Sequence, residues 1–206
     1  NKSSARTDSE LSYQIPEFHN RDHWFQENIL HELAILKSII NESRISEGLK
    51  NFLRLAMSSI VVLVSNQESE TRYVAINKNL APQKTLHLFT KKVNDMVERM
   101  EAFSVSATDE EIKVYQADSR YIDFVKDNSV DFIVTSPPYP NTYDYYLYHK
   151  QRMLWLDCDV RNVQENEIGS RDKHSSKNEG IDTYIDSMKL CFKQFSRALK
   201  PNKYFV

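Results

Sequence analysis

The sequence predicts an α/β fold, a partial open sheet in the second half of the chain behind a helical N-terminal region. Three observations predict it. Up to Thr108 the apolar residues recur at helical spacing, after Thr108 they fall into short runs rich in Val and Ile, and residues 109–206 then read strand, strand, helix, strand. That order is the pattern of an open α/β sheet, in which ligands sit at the carboxyl ends of the strands.

Residues 1–20 read as a polar lead-in with a turn around Pro16. The region 21–108 is read as helical. Ile29, Leu33, Leu36 and Ile40 follow one another at steps of four, three and four, which places them on one helix face. Asn41 to Ser46 is a polar break. The apolar segment Leu49 to Val64, with Phe52, Leu55, Ile60 and Leu63, is long enough for a well-buried helix. Ser65 to Gln83 is polar and contains Pro82, so it is expected to be a long connection. Phe89, Val93, Met96, Met100 and Phe103 then mark a third helix.

The region 109–206 is read as the α/β part. Ile112, Val114 and Gln116 alternate like a short strand ending at Asp118. Val130 to Val134 is a short apolar run of the kind buried on both faces in a parallel sheet, and it ends at Thr135-Ser136. Tyr143 to Leu156 is aromatic and helical, and Arg161 to Gly180 is a polar loop. Tyr184, Met188, Cys191, Phe195 and Leu199 mark an amphipathic helix stopped by Pro201, and Tyr204-Phe205-Val206 opens another strand. Asp118 and Ser136 both fall at strand ends, where an open sheet holds its ligands.

Composition narrows the function. The chain has 206 residues, 40% hydrophobic and 27% charged, with a net charge of −2 that names no partner by itself. No apolar run approaches the roughly 18–20 residues needed to cross a membrane, and Asn1 to Glu10 carries no signal-peptide hydrophobic region. Cys158 and Cys191 give neither a disulfide framework nor a metal-ligand pattern, and His19 with His23 has no partner at zinc-site spacing, so no metal is expected. A reducing cytoplasm is the simplest compartment. There are only 3 Gly, where average usage of about 7% predicts roughly fourteen. A glycine-rich cofactor loop is therefore not in this sequence.

The chemistry is carried by Ser136-Pro137-Pro138-Tyr139. Two prolines in series fix two φ angles and remove two N–H donors. The Ser136 and Pro137 carbonyls are then restricted in direction and have no competing donors beside them. Such a turn is suited to accepting hydrogen bonds from an exocyclic NH₂, with Ser136 Oγ as a further acceptor. Tyr139 offers a flat face on which a base taken out of its helix can stack. Acceptors on the amine hydrogens favour the pyramidal nitrogen that attacks a methyl group, and no covalent enzyme intermediate is required. The bland alternative is a stiff surface turn, since X-Pro turns are common. The run before it and the aromatics after it favour the site.

These residues resemble the amino-methylating DNA methyltransferases, of the Ser-Pro-Pro-Tyr type, which modify cytosine N4 or adenine N6. The stretch Asp131 to Tyr139, with Asn141 and Tyr143 to Tyr146, is similar to that family's catalytic motif and the segment after it. Tyr115 to Arg120 resembles the preceding strand end, and Glu167 to Ser170 and Arg197 to Pro201 resemble later stretches. Trp24 to Phe103 looks like an insertion seen in some members. The resemblance implies a partial Rossmann-like methyltransferase sheet, S-adenosyl-L-methionine as cofactor, DNA as partner and a restriction-modification or defence setting. It implies Ser136, Pro137, Pro138 and Tyr139 as catalytic, Asp118 and Ser136 as cofactor-binding, and Tyr139 and Tyr143 as substrate-binding residues.

Two departures stand out. The family's Phe-x-Gly-x-Gly cofactor loop is absent upstream of Trp24, and Leu199-Lys200-Pro201-Asn202-Lys203 stands where members read Leu-Lys-Pro-Gly-Gly. The first implies a fragment or split subunit, completed by a missing segment or a second subunit. The alternative is a catalytically inactive module that binds nucleic acid or a partner. RNA or a protein glutamine are further candidate substrates, and cytosine and adenine are both open as targets, with the Ser at the first motif position leaning toward cytosine N4. Tyr145, Tyr146, Tyr148, Lys150, Arg152 and Arg171 are read as packing or solvated-face residues.

Overall fold

The computed structural model describes residues 13–108, 110–175 and 180–206. In chain order the elements are α1 (Arg21–Trp24), α2 (Glu27–Glu42), α3 (Glu47–Val64), β1 (Gln67–Ser69), β2 (Arg72–Ala75), α4 (Lys84–Ser104), β3 (Val130–Ile133), α5 (Tyr145–Trp155), α6 (Val160–Asn166), α7 (Arg171–Ser175), α8 (Ile181–Ala198) and β4 (Leu199–Phe205). They form two compact units. The first takes Asn1–Thr108 and Tyr148–Val160, the second Asp109–Leu147 and Arg161–Val206.

The first unit is built on α2, α3 and α4. Ile29, Leu33, Leu36 and Ile40 of α2 are all buried, as their spacing predicts, and pack with Trp24, Phe25, Met57, Val61, Val64 and Trp155. In α3 the buried face is Ala56, Met57, Ile60, Val61 and Val64, whereas Leu55 and Leu63 are exposed. Leu55 lies one turn from Asn51 and Leu63 one turn from Ser59, so both flank polar positions of the helix. In α4 the expected stripe is half-buried at Phe89, Val93 and Met96 and exposed at Met100 and Phe103. The start of α4 has no cap of its own. Gln83 is left-handed, and Glu32 of α2 accepts from the Gln83 and Thr85 amides at 2.6 and 3.0 Å.

The expected connection from Ser65 to Gln83 holds an antiparallel hairpin, β1 with β2. Its strands are three and four residues long, too short for an alternation to show in sequence. Packing fixes it instead: the Tyr73 ring lies 4.3 Å from that of Trp24, and the Gln151 amide donates to the Tyr73 hydroxyl at 3.2 Å.

The second unit contains one parallel pair, β3 with β4. Val130 pairs with Leu199, Phe132 with Tyr204 and Ile133 with Phe205, with an irregularity between Val130 and Phe132. Helix α8 leads into β4, and Phe192 and Phe195 each lie 5.6 Å from the Phe205 ring. Arg197 at the end of α8 donates to the Ile122 and Val125 carbonyls and pairs with Asp127, which fixes the turns before β3. Asp131 receives Lys200 and Lys203 at 2.7 and 3.2 Å across the pair.

Four expectations for this region are corrected. Residues 112–116 form no strand: Ile112 and Val114 are exposed, and an alternating segment without a ladder partner has nothing to hold it extended. β3 is not buried on both faces, since Phe132 is 54% exposed. Burial on both faces requires cover on both, and among the described residues the aromatic packing on this pair comes from α8 alone. The segment 161–180 is not one loop but holds α6 and α7, while 176–179 lie outside the described residues. Leu199, expected in the last helix, is already the first residue of β4. Cys191 is buried and Cys158 is exposed.

The Pro201-Asn202-Lys203 segment explains itself in the backbone. Asn202 has φ 61°, the left-handed region that glycine adopts freely and asparagine tolerates. Asparagine thus meets the conformational need of a position at which a glycine is the usual solution. Asn202→Ala should lower stability by about 1 kcal/mol because alanine has no such tolerance, and Asn202→Gly should stay within about 0.5 kcal/mol of the wild type. Chemical denaturation checks this, and an alanine variant as stable as the wild type would remove the backbone argument.

Candidate functional site

The Ser136-Pro137-Pro138-Tyr139 turn leaves the carboxyl end of β3 through Val134 and Thr135, whose amide donates to the Val206 carbonyl at 2.9 Å. Ser136 and Pro137 are exposed, Pro138 is half-buried, and Tyr139 is 66% exposed. Among the described residues no hydrogen-bond partner is found for Ser136 Oγ or for the Ser136 and Pro137 carbonyls. The Pro138 carbonyl, in contrast, is taken: Tyr184 of α8 donates its hydroxyl to it at 2.9 Å.

One step further along, the Asn141 amide donates to the Gly169 carbonyl at 2.9 Å. Asn141 itself is left-handed, with φ 55°. Gly169, at φ 75°, is buried between the Tyr184 ring and the backbone of Pro140. A Cβ there would stand 2.9 Å from Tyr184 Cδ2 and 3.3 Å from Pro140 Cα, so only glycine fits. The turn is therefore fixed on either side of Tyr139, at Pro138 and at Pro140-Asn141.

The aromatic segment after the turn is held by carboxylates. Glu167 accepts from the Tyr145 and Tyr146 amides at 2.7 and 3.0 Å, the first donors of α5. Asp144, 5% exposed, accepts from the Asp172 amide at 2.8 Å at the start of α7 and pairs with Arg171 at 3.5 Å. Gln164 donates to the Tyr146 hydroxyl at 2.9 Å. The Tyr143 ring, on the turn side of Asp144, is partly exposed and lies 5.8 Å from that of Tyr145. Arg171 thus serves Asp144, and in the first unit Arg152 donates to the Ser58 carbonyl and pairs with Glu70.

Asp118 lies elsewhere in the same unit, in a turn, and its carboxylate is chelated by Arg120. Nε donates at 2.9 and 3.0 Å, Nη2 at 2.5 Å and the Arg120 amide at 2.9 Å. Arg120 also reaches Asn166 Oδ1 at 3.3 Å. The structure brings Ser136, Pro137, Pro138 and Tyr139 into one rigid turn with Tyr143 just after it, and gives Asp118 a partner of its own.

Sequence reasoning did not single out Tyr184, Gly169, Glu167 and Asp144 as supports of this turn. Tyr184 was read only as an apolar helix position, and Glu167 and Gly169 only as part of a stretch of resemblance. The signals that could have found them were a glycine in a chain with very few, and a carboxylate beside it.

The electrostatics of the two regions differ in sign. Burial pushes the Glu167 carboxyl above its ordinary 4.5, against the two amides that favour its charge, and Asp144 adds to the upward shift. The Arg120 guanidinium holds Asp118 below its ordinary 3.8. A raised carboxyl is protonated more readily in the folded chain than in the unfolded one, so Glu167 adds stability as pH falls through its folded midpoint toward 4.5. A depressed one does the reverse: Asp118 contributes fully above 3.8 and loses its contribution as pH falls through its lower folded midpoint. Carboxyl titration by carbon-detected NMR should place Glu167 above and Asp118 below those ordinary values. Coincident midpoints would contradict both environments.

The chain is similar to two Type II methyltransferases. It is 26% identical over 159 residues to M.MvaI of Kocuria varians, covering 71% of this chain and 35% of that protein. It is 31% identical over 127 residues to M.MjaII of Methanocaldococcus jannaschii, covering 52% of this chain and 23% of that protein. The chain thus spans little more than a third of the length of one curated relative and less than a quarter of the other. No known family profile matches the sequence, and no solved structure matches the fold. The two similarities support a methyltransferase as the class of this chain.

Proposed function

We propose that this chain carries the target-base half of an S-adenosyl-L-methionine-dependent methyltransferase acting on an exocyclic amino group in DNA, cytosine N4 or adenine N6. The observation that carries the reading is the turn after β3, which presents the Ser136 and Pro137 carbonyls and the Tyr139 ring while its Pro138 carbonyl is engaged elsewhere. The two similarities to Type II methyltransferases support the same class. A restriction-modification setting and a cytoplasmic location belong to this reading, as does the view of β3 and β4 as part of a larger Rossmann-like sheet.

The roles follow from the acceptors. Ser136 Oγ and the Ser136 and Pro137 carbonyls accept the two amine hydrogens and draw the nitrogen lone pair out of the ring plane toward the methyl donor. Tyr139 stacks on the flipped base, with an aromatic–base contact of about 1–3 kcal/mol, and Tyr143 extends the aromatic face. S-adenosyl-L-methionine supplies the methyl group when bound. The residues present do not fit the cofactor as they fit the base, because Asp118 is chelated by Arg120 and the chain has only 3 Gly. The glycine-rich cofactor loop is accordingly assigned to sequence outside these 206 residues or to a second subunit.

The same chelation favours a second reading, a methyltransferase-like module that binds nucleic acid or a partner without transferring a methyl group. Two experiments separate them. In the protein as its host makes it, Ser136→Ala and Tyr139→Ala should each lower methylation of unmodified host DNA by at least about a hundredfold with an unchanged unfolding midpoint. Mass spectrometry of the digested DNA should find N4-methylcytosine or N6-methyladenine. Full activity in both variants, or 5-methylcytosine as product, rules the amino-transfer reading out. Calorimetric titration of S-adenosyl-L-methionine into the 206-residue chain alone should give no binding, and micromolar affinity would overturn its assignment to the target-base half.

A further inference from the structure

We infer that Tyr184 is a positioning residue for the target base, acting through Pro138 and Gly169 to set the direction in which Tyr139 and the two free carbonyls point. The inference rests on the proposed function and extends it to a residue outside the Ser-Pro-Pro-Tyr turn. Tyr184 reaches that turn from α8, 46 residues away in sequence, and makes two separate contacts with its surroundings. Its hydroxyl donates to the Pro138 carbonyl at 2.9 Å, and its ring lies against Gly169 where any side chain would collide. Gly169 in turn lies against Pro140 and accepts the Asn141 amide.

Two consequences follow. The hydroxyl removes the Pro138 carbonyl from competition for the amine, which leaves the Ser136 and Pro137 carbonyls as the backbone acceptors. The brace also brackets Tyr139 between Pro138 and Pro140, so that the exposed Tyr139 ring stands on a backbone whose direction is fixed from both sides. Neither contact involves Asp118 or Ser136, the two residues the resemblance implies for the cofactor, so loss of the brace should affect the base and not the cofactor.

The test uses the protein as its host makes it, with host DNA lacking the modification as substrate. Tyr184→Phe removes the hydroxyl and leaves the ring on Gly169. It should lower kcat about tenfold, the effect of one lost hydrogen bond near the top of the usual range. The dissociation constant for S-adenosyl-L-methionine should stay unchanged, and the unfolding midpoint should fall no further than one lost hydrogen bond accounts for. Gly169→Ala, which drives a Cβ into the Tyr184 ring and the Pro140 backbone, should lower kcat further with cofactor affinity retained. Wild-type kcat in Tyr184→Phe overturns the inference and leaves the proposed function standing. A fall in kcat matched by falls in cofactor affinity and unfolding midpoint overturns it as well, since the residue is then a general structural one. A wild-type protein that binds the cofactor and transfers no methyl group to DNA overturns the proposed function, and the inference with it.

Discussion

The segment that follows β3 depends on an exchange of carboxylates between two helix starts. Asp144 immediately precedes α5 and yet satisfies the Asp172 amide at the start of α7. Glu167 precedes α7 and satisfies the first two amides of α5. Each helix start is capped by the residue that leads into the other, and negative charge sits at both positive helix ends. Removing Asp144 strands the half-buried Asp172 amide and removing Glu167 the half-buried Tyr146 amide, each worth about 1–3 kcal/mol when left unmade. This exchange ties residues 141–147 to residues 161–173, so the Ser-Pro-Pro-Tyr turn ends on a fixed point although it has no regular structure itself. The same device recurs in the first unit, where Glu32 of α2 caps α4.

Scarcity of glycine shapes the rest. Among the described residues, seven other than glycine adopt positive φ, and five of them are asparagines: Asn20, Asn79, Asn128, Asn141 and Asn202. Their side chains make the left-handed conformation tolerable. The low glycine content therefore does not exclude tight left-handed turns. What it does exclude is the close approach of bare backbone to a ligand, which needs hydrogen in place of Cβ. Between Tyr184 and Pro140, where a close approach is required, the chain keeps a glycine.

The parts of the fold legible in sequence are those held by local pattern. The face of α2 follows from its spacing, the turn at Ser136 from its prolines, and the existence of α5 and α8, though not their ends, from aromatic and apolar periodicity. The parts that were not legible depend on partners distant in the chain. The β1–β2 hairpin is stabilised by Trp24 and by Gln151, some eighty residues from Tyr73, and α6 and α7 are short helices in a polar segment that side chains from elsewhere hold in place. Residues 112–116 failed in the opposite direction, because alternation marks a strand only where a neighbour completes the ladder. At the candidate site the same division holds. The motif was readable residue by residue, whereas its brace lies 28 to 46 residues further on, at Gly169 and Tyr184, and no local rule connects them.

The chemistry of the turn argues for its half of the reaction. Successive backbone amides form concavities that bind anions, and helix starts do the same when their donors are free. Here part of the donor set is removed or occupied: Pro137, Pro138 and Pro140 have none, Asn141 donates to Gly169, and the first amides of α5 belong to Glu167. What the prolines favour between Ser136 and Tyr139 is a set of carbonyl acceptors beside an aromatic ring, a surface that complements a planar donor such as a nucleobase amine. Asp118 is the converse, an acceptor whose capacity Arg120 has already taken up. Under the proposed function, these acceptors meet the amine of the target base and leave the methyl donor to other residues.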